Sequence, residues 1–295
     1  MSRARRRWWL LLRVSAAVLA LSYGLFVLTP QGQALENAAL RGADQVITDD
    51  LTDAKAELSR ITVYTLAGIG ALLVLVGLAR RRFDLVLAGP GALVACVGIS
   101  QVLKRFILPR PHLVEAHVDY LNNSFPSGHT TIAMAALLAL VIVSTLRWRG
   151  LLLWVAIAYS TGVGAWSMTA KWHRLSDTLG ADAIALGVCC LASLWLSSRD
   201  GVVQATVRRS WFTRALIALL AIGLLFTLSV GLLLTFASGF PSGPDEVADY
   251  NAYLGLTSLA SAGSFATVLA FWWSWAGLES RGGAASATAR KPALT

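Results

Sequence analysis

Charge is what this sequence has least of. Only 14% of its 295 residues are Asp, Glu, Lys or Arg, whereas 56% are hydrophobic. About a quarter of an ordinary soluble domain is charged, so a chain this poor in charge falls outside that class. Cysteine is scarce too, and the three present, Cys96, Cys189 and Cys190, all lie in apolar runs. That excludes a disulfide framework and leaves them as small packing residues. No cluster of Asp and Glu suggests a divalent cation site. His112 and His117, five apart in one loop, fit no zinc spacing and read as surface residues.

What the sequence does contain is long apolar stretches, with 11 tryptophans and a mean hydropathy of +0.63. Eight runs approach or exceed the ~20 residues that a helix needs to cross a bilayer. They are residues 8–29, 61–79, 83–108, 130–146, 150–170, 178–198, 213–237 and 254–278. This predicts an all-α polytopic membrane bundle of eight spans with both termini cytoplasmic. That topology places 17 of the 25 Lys and Arg inside and 13 of the 16 Asp and Glu outside. The asymmetry follows the positive-inside rule. The net charge of +9 therefore reports topology and attraction to anionic membrane lipids, not nucleic-acid binding. The first run, after Arg3–Arg7, is longer than a secretory h-region and reads as an uncleaved anchor. Residues 31–60 form an acidic amphipathic segment, expected to cover the outer end of the bundle.

Some basic residues sit on the outer side against this trend. Lys104, Arg105 and Arg110 crowd the end of the third run, where Pro109 and Pro111 stop the helix and stiffen its exit. Lys171 and Arg174 bracket His173 at the end of the fifth. Between these groups lies Asn123-Ser124-Phe125-Pro126-Ser127-Gly128-His129. Ser127 is a natural N-cap for the apolar run behind it. Free amides and the helix dipole there form an anion site, with His129 beside it. A similar Phe240-Pro241-Ser242-Gly243 has Pro244 in place of the histidine and reads as a plain turn. His173 and Asp177, four apart, fall on one face of a helix, where the carboxylate would orient the imidazole and support its cation.

Together these segments resemble the type 2 phosphatidic acid phosphatase superfamily, whose pattern is Lys then Arg-Pro, then Pro-Ser-Gly-His, then His-x-x-x-Asp. Lys104 with Arg110-Pro111, Pro126–His129 and His173/Asp177 match in that order. Five residues rather than the usual six separate Lys104 from Arg110. Ser167 stands where the family carries an arginine six residues before the histidine. The resemblance covers residues 61–198. It implies a six-helix phosphatase core over residues 1–198, with two additional transmembrane helices at 199–280 and a disordered tail at 281–295.

It further implies a lipid phosphatase with its site facing outside the cell membrane, acting on a lipid phosphate or diphosphate, a polyprenyl diphosphate being favoured. His173 would be the nucleophile, Asp177 its orienting partner and His129 the general acid. Lys104, Arg110, Ser127 and Gly128 would bind phosphate, and Lys171 or, by preference, Arg174 would replace the missing arginine. No metal or other cofactor is implied. A phosphotransferase using the same site, and a catalytically weak lipid-binding or transport protein, are the alternatives. Oligomeric state is not readable from the sequence.

Overall fold

The computed structural model describes residues 2–61, 63–115, 122–205, 211–239, 241 and 243–281. His117, Asp119 and Tyr120, part of the basic 199–214 loop, Phe240 and Ser242 of the second Pro-Ser-Gly turn, and the tail beyond 281 lie outside the described residues.

Each of the eight apolar runs forms a helix. They are α1 (Ser2–Ser22), α4 (Val63–Ala79), α5 (Phe83–Val102), α6 (Gly128–Val143), α7 (Leu146–Thr169), α8 (Leu175–Ser198), α9 (Trp211–Ala237) and α10 (Glu246–Ser274). The amphipathic segment at 31–60 forms two more, α2 (Pro30–Gly42) and α3 (Thr48–Ser59). Among the described residues, five helices are long and apolar enough to cross a membrane, or six if α3 and α4, bent by 53°, count as one span. One departure from all-α is small: β1 (Val202–Gln204) pairs antiparallel with β2 (Leu278–Ser280).

At 16 residues, about 24 Å of rise, α6 is short for a crossing. It is buried on nearly every face, as a helix apolar all round should be. Lipid tails are as apolar as leucine, so close packing rather than exclusion from water must hold such a helix. Ala133, Ala135, Ala136 and Ala139 let neighbours approach it, and Met134, Leu137, Leu138 and Val141 interdigitate with Leu93 and Cys96 of α5 and Cys189 of α8. The outward faces are apolar as well: Leu225, Phe226, Leu233 and Phe236 of α9 are exposed.

The last two helices differ in placement. α9 packs chiefly on α10, whereas α10 runs through the bundle against α1, α2, α7 and α8. It is capped by Asp245, whose Oδ1 accepts from the Ala248 N–H at 2.9 Å. At the end away from the motifs, Arg80 donates to the Ser280 carbonyl (2.6 Å) and Arg149 to that of Leu278 (2.9 Å). Residues 278–281 are thus held against that end of the bundle.

Candidate active site

Two turns and two helix starts bring the basic residues and histidines together at one end of the bundle. α5 leaves through a π-turn, Leu103–Ile107, closed by Leu108 N–H donating to Leu103 O at 2.8 Å. The wider turn leaves Lys104 half-buried and in electrostatic contact with His129 and Asp177. Arg110 follows, buried, also within reach of Asp177. The five-residue spacing therefore still brings both cations to the same place.

Asn123 pins the next segment to that turn. Its Nδ2 donates to the carbonyls of Lys104 (3.0 Å) and Leu108 (2.8 Å), and its Oδ1 accepts from Phe125 N–H (3.1 Å). The Phe125-Pro126 bond is cis, and Phe125 is fully buried. Ser127 caps α6 as expected, accepting from Thr130 N–H at 3.3 Å. Nothing crowds Gly128: a Cβ there would meet only Gln101 Nε2, at 3.5 Å. His129 stands in the first turn, and its buried Nδ1 has no hydrogen-bond partner among the described residues.

α7 ends in a Schellman turn. Lys171 takes the left-handed position (φ 58°), its N–H donates to Met168 O (3.0 Å), and Trp172 N–H donates to Ser167 O (3.0 Å). The Ser167 carbonyl also accepts from His173 N–H at 3.1 Å. Ser167, which has no guanidinium to offer, thus supplies a backbone anchor for the histidine.

The expected helical pairing of His173 and Asp177 is corrected in form. His173 precedes α8, which begins at Leu175 rather than near 178, and Asp177 is the third residue of its first turn. The two still meet, Nδ1 to Oδ2 at 3.4 Å, because the same Oδ2 accepts from Arg174 N–H at 2.9 Å and so faces back toward the loop. The His129 and His173 rings lie 5.9 Å apart, and Trp172 lies 5.5 Å from His129.

The two cations that flank His173 part company. Lys171 Nζ forms an ion pair with Asp44, directed at the segment 31–60. Arg174 is buried and donates from NH1 to Ser124 Oγ at 3.0 Å, joining the third motif to the second. His112 is exposed, as the sequence suggested. Among the described residues no three His, Cys, Asp or Glu side chains are grouped to hold a metal ion.

One participant was not foreseen. Glu36 of α2 is buried, with Oε2 2.6 Å from Arg110 NH2 and Oε1 accepting from Ser176 N–H at 2.8 Å. The amphipathic segment thus reaches the site instead of only covering the end of the bundle. Two imidazoles, one backed by a carboxylate, inside a ring of three cations can bind a phosphate group and transfer its phosphoryl centre.

Comparison with known proteins agrees with this arrangement. Residues 85–200 match the family model described as the PAP2 superfamily. No curated protein and no solved structure matches the chain.

Proposed function

Residues 85–200 match the PAP2 superfamily, and on that premise we propose that the chain is a membrane lipid phosphatase of this kind working through a phospho-histidine. The observation that carries the proposal is the His173–Asp177 contact facing His129 inside the group Lys104, Arg110 and Arg174. Asp177 at Nδ1 fixes the tautomer, so that Nε2 bears the lone pair that attacks phosphorus. The P–N bond forms as the P–O bond to the lipid, or to the remaining phosphate of a diphosphate, breaks. His129 gives its proton to the departing oxygen. Water then attacks the phospho-histidine with His129 as base, releasing phosphate and restoring His173. The three cations and the Gly128 amide stabilise the charge on the equatorial oxygens.

The outer membrane face is the proposed side, supported by the excess of basic residues at the opposite helix ends. A polyprenyl diphosphate is the favoured substrate and a glycerolipid phosphate the next. The test is phosphate release from a panel of both in vesicles, wild type beside His173→Ala, with acid-quenched labelling for the phosphoenzyme. Release lost in His173→Ala, with label retained only in wild type, supports the proposal. If phosphate passes to an added alcohol in preference to water, the protein is a phosphotransferase. If lipid binds and nothing is released, it is a binding protein.

A further inference from the structure

We propose that Glu36 is a positioning residue: it sets the direction of Arg110 and the first turn of α8, and α10 holds it in place. The proposal rests on the phosphatase reading in one respect, that Arg110 meets the substrate phosphate.

Both Glu36 oxygens are committed, and to different elements. Oε2 takes Arg110 NH2, in an ion pair whose side chains are 4% and 0% exposed. Oε1 takes the Ser176 N–H, one residue before Asp177. A buried carboxylate is tolerated only when such partners offset its desolvation, and the positive end of α8 adds to them. The guanidinium is thereby fixed by one edge. Its NH1 is buried and has no hydrogen-bond partner among the described residues. A buried charged donor left over in this way is a place for a ligand oxygen. Without Glu36, nearby Lys104 and Arg174 would repel Arg110 and the fork would lose its reference.

α2 is itself held at both ends. Near its start, Gln33 Nε2 donates to Val27 O and Pro111 O, both at 2.7 Å, and its Oε1 accepts from Leu113 N–H at 3.2 Å. Those contacts bind the residues directly after Arg110. At its other end Arg41 grips Asp249 of α10 through Nε and NH2, both at 2.7 Å. Gly42 lies against the Asp249 carbonyl, where a Cβ would come within 2.0 Å of the oxygen. All of α2 and α10 falls outside the matched residues 85–200.

The test is a double-variant cycle on the full chain in lipid nanodiscs, with Glu36→Gln, Arg110→Gln and the pair. Two readouts are used: affinity for inorganic phosphate, and kcat and KM on whichever lipid phosphate is turned over. Glu36→Gln keeps the shape and loses the charge. It should weaken phosphate binding and lower kcat/KM by about 10-fold, mostly in kcat, yet change either by less than about 2-fold when Arg110 is already Gln. Glu36→Asp should recover part of the loss. The proposal is overturned if the single losses multiply in the double variant, or if Glu36→Gln binds phosphate as well as wild type or more tightly. In the last case the carboxylate merely opposes the anion. If wild type releases phosphate from no lipid, the phosphatase reading fails, and the phosphate-binding cycle still decides the role of Glu36. If Glu36→Gln does not fold, Asp249→Asn takes its place, with a loss expected only when Arg110 is present.

Discussion

The N–H of Ser127 donates to the carbonyl oxygen of Asp177 at 3.0 Å. The start of α6, which carries His129, and the start of α8, which His173 precedes, are therefore joined by their backbones, and this junction helps to set the separation of the two histidines. The Ser127 amide is committed to this bond, which leaves those of Gly128 and His129 for an anion. Close contact between Gly180 and the Phe125-Pro126 segment supports the same junction.

Gly180→Ala tests that junction. A Cβ there would fall 2.7 Å from Cε2 of the fully buried Phe125. Overpacking of this kind costs ~1–3 kcal/mol. A lower melting temperature and at least 10-fold slower phosphate release are expected, because the histidines are driven apart. Wild-type turnover would show that their separation is set elsewhere.

Asp177→Asn should keep the bond to Arg174 N–H and lose the charge facing His173. With the imidazolium no longer supported, turnover should fall ~10²-fold or more while lipid binding changes little. The measurement is kcat beside lipid affinity. Equal losses in both would make Asp177 a folding residue alone.

Arg174→Gln and Lys171→Gly should separate the roles of the two cations that flank His173. Arg174 reaches Ser124 of the second motif, so its loss should slow turnover ~10²-fold. Lys171→Gly gives up a partly exposed pair with Asp44, worth ~0–1 kcal/mol, and relieves a left-handed residue of roughly 1–2 kcal/mol. Its turnover should stay within about 2-fold of wild type and its melting temperature should hold or rise. A large loss in Lys171→Gly would return that lysine to the phosphate site.

Excess EDTA should leave phosphate release unchanged, since Lys104, Arg110 and Arg174 supply the positive charge that a divalent ion would otherwise bring. Abolition by EDTA with recovery on adding Mg²⁺ would overturn the scheme.

The three motifs were legible because each is local: an N-cap serine, a proline-bounded cation and an i+4 pair can be read within a few residues. The π-turn at Leu103–Ile107 and the Schellman turn at Lys171 were not, since no glycine marks either exit. The α8 start was misplaced by three residues, although Asp177 in the first turn is the usual acidic signal there. Glu36 was hidden for a different reason. An acid in an amphipathic segment reads as solvated, and its partner Arg110 lies 74 residues away. Likewise α10 carries no motif, and its tie to α2 joins residues 208 apart.

That separation bears on how the protein is made. As the chain is inserted, α2 emerges early: Glu36 meets Arg110 after 74 further residues, but Arg41 must wait 208 for Asp249. A ribosome that has delivered residue 200 has produced every motif but not the element that steadies them. The strand Leu278–Ser280, closing onto Arg80 and Arg149, comes later still. The tie from α2 to α10 is thus among the last to be made, and a product ending before Asp249 would carry every motif and the Glu36–Arg110 pair without the brace that α10 gives to α2.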